Sequence, residues 1–178
     1  MISVEIPNLK DIIAKLPDER KARIVLMRAI NRSVPAGKLA ASKEVRKEYN
    51  VKASKINEAT KVTKASTSTL MAKIRWSSPM VNLANFKISP SKRPKKQPKK
   101  QMTVQVKKGS KSTYKGAFIG SNGQVFRRVG KARLPIKPLY GPAISQLMGA
   151  EKVKEATVTR TQEILALRVE HEIGRMMS

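Results

Sequence analysis

The sequence predicts an α+β protein with N-terminal helices, a small and mostly antiparallel β-sheet that carries an extended basic loop, and a long C-terminal helix. Apolar residues recur at three- and four-residue steps in the first part of the chain, alternate with polar residues in the middle, and return to helical spacing after residue 150. Segregation of helices and strands along the chain is typical of α+β proteins. We therefore predict one domain over 1–178, with a helical part at 1–62, a basic β part at 67–140 and C-terminal helices at 143–178.

The N-terminal part predicts a short strand followed by helices. Residues 2–6 alternate apolar and polar side chains, as a strand does, and a short helix is expected at 9–16. Asp18 can cap a longer helix that follows. Pro35 is expected to kink or interrupt this helix, because proline removes a backbone donor and clashes with the preceding turn. A further short helix is expected at 54–62.

The middle of the chain predicts strands. The clearest one spans 67–76, where one face carries the apolar residues Leu70, Ala72, Ile74 and Trp76. We expect Trp76 to lie in the core and the segment 81–88 to form the hairpin partner of this strand. Residues 102–106 alternate again and predict another strand.

A second hairpin is predicted at 116–129. Asn122 and Gly123 lie at its centre, where a tight turn requires positive φ angles. The stretch 133–142 contains too many prolines for a central strand, so we expect it at a sheet edge. A short helix is expected at 143–148.

The last element is the strongest predicted helix. Residues 151–177 contain no proline, and their apolar stripe includes Val158, Leu165, Val169 and Ile173. We expect this stripe to pack against the sheet or against a neighbouring subunit. The chain has only seven aromatic residues, so its core is thin, and we expect neighbouring subunits or a partner to complete the fold.

Positive charge is concentrated in the middle of the chain. Residues 59–150 hold 20 of the 38 Lys and Arg residues and no Asp or Glu, while the net charge of the whole chain is +26. Such a concentration of like charge predicts a negatively charged partner, either a nucleic acid or an acidic protein surface.

Two clusters of cations are candidates for contact with that partner. The proline-spaced loop 89–101 is predicted to be extended, and it either stays solvated or contacts phosphates. Its cations are Lys92, Arg93, Lys95, Lys96, Lys99 and Lys100. No aromatic residue interleaves them, so base stacking is not expected. For the second cluster, DNA and an acidic protein are equally good partners, and its cations are Arg127, Arg128, Lys131 and Arg133.

The residues offer no basis for catalysis. The chain has no cysteine, and its one histidine, His171, lies between two glutamates on the C-terminal helix, where a surface or interface role is expected. No glycine-rich phosphate loop and no GxSxG or HExxH motif occurs. We therefore expect no enzymatic activity, no cofactor and no metal. No apolar run of about 18 residues and no signal peptide is present, so we expect no membrane association and a chain made in the cytosol, which leaves it only inside a larger assembly.

Several segments, taken in order, resemble the minor tail protein Z family of long-tailed phages and prophages, whose members act as tail completion proteins. The N-terminal segments are Ala29-Ile30-Asn31-Arg32, an Ala- and Ser-rich helix, and EVRKEYNVKASKINEATKVTKAS. The later block is GAFIG followed by FRRVGKARLPIKPLYGP. Within it, Arg128-Val129-Gly130-Lys131 and Leu134-Pro135-Ile136 carry most of the resemblance, which covers roughly residues 20–148.

This resemblance implies a structural virion protein without catalytic activity. It implies a place at the head-proximal end of the tail, where the protein completes the tail and joins it to the head connector around the DNA exit channel, after assembly in the host cytoplasm. The implied partners are further copies of the chain in a closed ring, with a hexamer expected, the tail terminator, the head-tail connector proteins and phage double-stranded DNA.

Two alternatives remain open from the sequence. The first is a stand-alone, sequence-nonspecific nucleic-acid-binding protein, such as a ribosome-associated or nucleoid factor, which the charge alone supports. The second is another neck protein of the same particle, such as the tail terminator.

Overall fold

The computed structural model describes residues 1–6, 13, 18–95 and 101–177, apart from the side chain of Met177. Its internal contacts divide the chain into two compact units. The first, here called the helical unit, consists of Met1–Glu44, Thr60–Ser77 and Met148–Ser178. The second, here called the basic unit, consists of Val45–Ala59 and Ser78–Leu147. The basic unit contains 20 Lys and Arg against two Asp and Glu, a net charge of +18.

Helices and short antiparallel strands make up both units. The α-helices are α1 at Glu19–Glu48, α2 at Ala53–Ala59, α3 at Ile144–Leu147 and α4 at Glu151–Met177. The strands are β1 at Ile2–Glu5, β2 at Thr60–Thr63, β3 at Met71–Trp76, β4 at Met80–Asn82, β5 at Lys87–Ser89, β6 at Met102–Gln105, β7 at Ser112–Tyr114, β8 at Ala117–Ile119, β9 at Val125–Arg128, β10 at Ile136–Pro138 and β11 at Tyr140–Ala143. The α+β class and the long terminal helices are confirmed.

The sheet of the helical unit has the strand order β1-β3-β2. Ile2 lies opposite Ile74 and Val4 opposite Ala72, and all four side chains are buried. This alternation follows from the two-residue period of a strand, which places every second side chain on the same face. Helix α4 packs against β1, so the buried face of the sheet is covered by the long C-terminal helix.

The long helices α1 and α4 approach each other closely at Gly37. A Cβ atom at this position would overlap the Oγ1 atom of Thr161 and lie 3.4 Å from the backbone oxygen of Thr157. Both threonines are buried, and each hydroxyl donates a hydrogen bond to the carbonyl four residues earlier in α4, at 2.5 Å and 2.6 Å. The lack of a side chain at Gly37 therefore permits this helix contact.

Two polar contacts fix α1 within the helical unit. Arg32 donates a hydrogen bond and forms an ion pair with Glu172 of α4, whose side chain is 2% exposed. Asn31 binds both backbone groups of Ala65: its amide donates to the carbonyl at 3.0 Å and its oxygen accepts from the N–H at 2.8 Å. Since buried polar groups are costly without partners, these contacts specify which face of α1 points inward.

The buried line of α4 differs in part from the predicted stripe. Leu165 is 3% exposed, whereas Val158, Val169 and Ile173 are half-buried. The fully buried positions continue at four-residue steps through threonines, and the line consists of Val153, Thr157, Thr161 and Leu165. Threonine hydroxyls that bond within the helix can be buried without a distant partner, so an apolar pattern alone misses them.

The basic unit contains three small sheets within its described residues, with the orders β10-β9-β8, β5-β6-β7 and β11-β4. Asn82 of β4 is 6% exposed and links β4 to β9. Its side chain accepts from the N–H of Val125 at 2.9 Å and donates to the carbonyl of the same residue at 3.2 Å. Helix α2 contacts α3, and both contribute buried isoleucines, Ile56 and Ile144.

The predicted pairing of 81–88 with 67–76 was wrong. Strand β3 pairs with β1 and β2, whereas β4 pairs with β11 and β5 pairs with β6. Strand β3 also begins at Met71 rather than at 67, because Ser66 and Thr69 form a turn in which the Ser66 hydroxyl accepts from the Thr69 N–H at 3.0 Å. The hairpin at 116–129 is confirmed as β8–β9, with Gly123 at a φ of 76°, and β10 lies at a sheet edge as expected.

Two helix predictions differ from the structure. Of the two outcomes expected at Pro35, an interruption does not occur, because helix α1 continues through this exposed residue. Helix α2 ends at Ala59 and the chain continues directly into β2. The helix predicted at 9–16 lies outside the described residues, except for Ile13, which is helical.

The burial of Leu165 generates a prediction about stability. Leu165→Ala should lower the free energy of unfolding by about 2–5 kcal/mol, because it removes buried apolar surface and leaves a cavity. Leu167→Ala is the matched control on the same helix, since Leu167 is 61% exposed, and it should change stability by at most about 0.5 kcal/mol. Urea unfolding followed by circular dichroism measures both. Equal effects would show that Leu165 is not part of a packed core.

The close helix contact generates a second prediction. Gly37→Ala should destabilise the protein, because overpacking costs about 1–3 kcal/mol and exceeds the gain in helix propensity of about 0.5–1 kcal/mol. Gly174→Ala in α4 is the control, since nothing lies within 4 Å of the added methyl group, and it should be neutral or stabilising. Thermal melting of both variants tests this expectation, and a Gly37→Ala protein that melts at or above the wild-type temperature would contradict it.

Candidate functional site

The basic unit contains a cleft of about 1140 Å³. It lies beside the sheet β10-β9-β8 and is lined by the segment before β6, by β8, β9 and β10, and by the loop between β9 and β10. Seven cations line it: Arg93, Lys95, Lys115, Arg127, Arg128, Lys131 and Arg133. None of the described residues in its wall is Asp, Glu, His or Cys. We call this the basic cleft.

Local hydrogen bonds hold the strands that carry these cations. The Leu139 N–H donates to the Val125 carbonyl at 2.9 Å, and Asn82 binds both backbone groups of Val125, so the start of β9 is fixed from two sides. Val125 is fully buried, whereas Arg127 and Arg128 at the other end of the strand are exposed. Strand β9 is therefore anchored in the core at one end and presents charge at the other.

The loop between β9 and β10 carries two more cations of the cleft. The Val129 N–H donates to the Pro135 carbonyl at 3.1 Å and closes this loop at its base. Lys131 and Arg133 lie within the closed loop, and both side chains are exposed. The closure keeps them next to the cleft while leaving their charges in water.

Two phenylalanines form part of the cleft wall. Phe118 and Phe126 lie opposite each other in the β8–β9 hairpin, with ring centroids 6.2 Å apart and an angle of 30° between the rings. The Arg128 guanidinium carbon lies 5.9 Å from the Phe118 centroid, which is within the range of a cation–π contact. Gly120 is needed beside them, because a Cβ at that position would lie 2.8 Å from a ring carbon of Phe126.

The structure brings the two predicted basic clusters together at this cleft. Arg93 and Lys95 of the loop 89–101 line it with all four cations of the second cluster, Arg127, Arg128, Lys131 and Arg133. Lys92 is exposed and does not line the cleft. Lys96, Lys99 and Lys100 lie outside the described residues. Contact of these cations with DNA or an acidic partner stays a prediction.

The remaining predicted residues lie in the helical unit. Trp76 is 8% exposed, and its Nε1 atom has no hydrogen-bond partner in the part of the chain that the structure describes. Leu165 is buried, while Val158, Val169 and Ile173 are half-buried on the flank of α4. His171 is 56% exposed, and its Nδ1 atom lies 4.0 Å from a carboxylate oxygen of Glu172.

Sequence reasoning missed three residues of the cleft. Lys115 was not assigned to either cluster, and the proximity of Phe118 and Phe126 to the cations was not foreseen. The signal for the phenylalanines was present, because a hairpin centred on Asn122 pairs position 118 with position 126. Base stacking was not expected because no aromatic residue interleaves the cations of the loop 89–101, whereas in the folded chain Phe118 and Phe126 line the same cleft as Arg93 and Lys95.

This arrangement is suited to binding anions. Guanidinium groups offer paired donors that match phosphate and carboxylate oxygens, and ammonium groups add mobile positive charge.

Within the described residues, no helix is long and apolar enough to cross a membrane.

The comparisons with known proteins place this chain in a family of phage structural proteins. The family model for prophage minor tail protein Z (GPZ) matches residues 6–177, nearly the whole chain. The protein belongs to this family, and the resemblance found in the sequence is confirmed. No curated protein and no solved structure matches the chain. Membership supports a structural role in a phage tail and a place in the virion.

Proposed function

We propose that this protein acts at the head-proximal end of the tail, where it completes the tail and joins it to the head connector around the DNA exit channel. It acts there as a structural subunit without catalysis. The observation that carries the proposal is the basic cleft of a member of a tail protein family, in which two clusters distant in sequence present six cations and Lys115 adds a seventh.

The charge of the basic unit supports a site next to DNA. Its net charge of +18 produces a field that attracts a polyanion. Repulsion among these charges destabilises the compact unit, and a bound polyanion reduces that repulsion. The head-tail junction is the part of a tailed phage through which the whole genome passes. Contacts to phosphates there need no sequence preference, which is what lysines and arginines provide.

Exposed apolar residues support contact with other proteins of the junction. Leu134 and Ile136 line the basic cleft and are 67% and 37% exposed, and Val129 next to the loop closure is 54% exposed. Apolar residues grouped at a charged surface are typical of protein interfaces. The proposed partners are the tail terminator, the head-tail connector proteins and further copies of this chain.

We expect these copies to form a closed ring, with a hexamer matching the sixfold tail. A closed ring buries surfaces that a single copy leaves exposed. A cryo-electron microscopy map of the junction in particles assembled with this chain tests both position and copy number. Six copies around the DNA channel at the head-proximal end are expected. Density elsewhere in the tail, or one copy or an open helical array at the junction, would overturn the corresponding part of the proposal.

Salt dependence tests the DNA-facing role of the basic loop. Four Lys→Gln changes in the loop should flatten the slope of log affinity for duplex DNA against log salt by up to about 4, since each neutralised phosphate contributes about 0.9. The changed residues are Lys95, Lys96, Lys99 and Lys100. The fold should be unaffected, which circular dichroism checks.

The matched control carries four Lys→Gln changes at lysines of the basic unit that do not line the cleft. These are Lys87, Lys107, Lys108 and Lys111. This control should leave the slope nearly unchanged. Equal flattening by both sets would show that the charge of the whole unit attracts DNA. An unchanged slope in the loop variant would instead assign the contact to Arg127, Arg128 and Lys131, or leave the loop to an acidic protein.

A further inference from the structure

We infer that the basic cleft binds single-stranded nucleic acid, with phosphates on its cations and an unpaired base on the Phe118–Phe126 pair. This inference rests on the proposed function in taking DNA as the anion, and it differs from the duplex contact tested above by assigning the cleft to an unpaired segment.

The aromatic pair is the first observation. Both rings line the cleft and both are half-buried, so part of each ring faces the recess rather than the core. Bases stack on such rings irrespective of sequence, and loss of one stacking contact weakens binding by about 5- to 150-fold. Duplex DNA presents only base edges in its grooves, because its base faces are stacked on one another. A recessed phenylalanine pair therefore contributes to binding only when bases are unpaired.

The placement of the cations is the second observation. Arg93 and Lys95 come from the segment before β6, Lys115 precedes β8, and Lys131 and Arg133 come from the loop after β9. The cations of the cleft thus come from separate segments of its wall. A strand in the cleft could therefore place several phosphates on cations of different segments, as a positively charged groove that follows the backbone does.

The size of the cleft is the third observation. Its volume of about 1140 Å³ is close to the upper end of the roughly 300–1,000 Å³ of sites for small molecules, so it has room for a nucleotide and a flanking phosphate. The Arg128 guanidinium carbon lies 5.9 Å from the Phe118 centroid, so its charge is close to where the phosphate next to a stacked base would lie.

The experiment compares three probes on the full-length protein. These are a fluorescent 12-nucleotide oligothymidylate, a mixed-sequence DNA duplex of the same length, and an oligoglutamate peptide, each titrated by fluorescence anisotropy at several salt concentrations. The single strand should bind more tightly than the duplex. Glutamate peptide should bind more weakly than either.

Two phenylalanine variants locate the stacking contact. Phe118→Leu and Phe126→Leu keep apolar volume and remove the aromatic face, so each should weaken single-strand binding about 5-fold or more while leaving duplex binding unchanged. Phe86→Leu is the matched control, because Phe86 lies in the same unit and does not line the cleft. It should leave single-strand affinity unchanged.

Crosslinking gives a readout on the wild-type protein, independent of how the variants fold. An oligonucleotide with 5-bromodeoxyuridine, irradiated in the complex and analysed by mass spectrometry, should crosslink to the peptide that contains Phe118 or Phe126. Crosslinks confined to other peptides would overturn the inference.

The other outcomes are equally decisive. Duplex binding as tight as single-strand binding, or equal losses in Phe118→Leu and Phe86→Leu, would show that the rings are structural only. Displacement of the oligonucleotide by glutamate peptide at matched concentration would assign the cleft to an acidic protein. None of these results changes what the cryo-electron microscopy map shows about the position of the protein. Conversely, a map without this protein at the junction does not change the measured affinity for single strands, so failure of the inference and failure of the proposed function can be distinguished.

Discussion

Like-charge repulsion in the basic unit is the constraint on which the rest of this structure depends. Twenty cations and two acids share one compact unit built from strands of three or four residues. The strands of this unit bury apolar side chains and leave charged ones exposed. Val104 and Val125 lie in the core, while Arg127 and Arg128 are exposed to water at the end of β9. Asn82 adds a buried polar link between strands where little apolar surface is available. The apolar side chains thus form the core of the unit while its charges stay at the surface.

The helical unit has a lower net charge of +8, because its 18 Lys and Arg are accompanied by 10 Asp and Glu. Its acids form pairs with cations of the same helix, such as Glu19 with Arg23 at 2.9 Å and Glu163 with Arg160 at 2.8 Å. The Arg32–Glu172 pair joins α1 to α4, with the carboxylate almost wholly buried. Loss of Arg32 would leave the buried Glu172 carboxylate without this cation, which destabilises a folded protein. Helix packing and ion pairs are the main features of this unit, whereas exposed positive charge is the main feature of the basic unit.

The segments that resemble the tail protein family coincide with particular physical roles. Asn31 holds the backbone of Ala65, and Arg32 pairs with Glu172. In the later block, Gly120 makes room for Phe126, and Arg128 lies against Phe118 in the wall of the basic cleft. The first segment thus secures the helical scaffold, and the second forms part of the positively charged wall of the basic cleft. A structural tail protein needs both, because it must stay folded while it contacts other components of the particle.

The sequence by itself determined the elements whose signal is local. Helix α4 and strand β3 follow from the spacing of apolar residues, and the β8–β9 hairpin follows from a turn that needs a positive φ at Gly123. The charge of the middle region was equally plain. The pairing partners of the strands could not be predicted. Strand β3 pairs with β1 across about 65 residues of chain, and backbone hydrogen bonds between strands do not depend on which side chains the strands carry. Helix α1 continues through Pro35, although proline removes a hydrogen bond from a helix interior.

Only the tertiary structure decided what the charged residues do together. Arg93 and Arg127 are separated by 33 residues in sequence, and no local pattern links them, yet they line one cleft. Phe118 and Phe126 become part of the same wall because the hairpin pairs them and Gly120 leaves room for the ring. Composition predicted an anionic partner, since charge acts at long range and depends little on conformation. A site with cations and aromatic rings within reach of one ligand depends on short-range geometry, and only the folded chain sets that geometry.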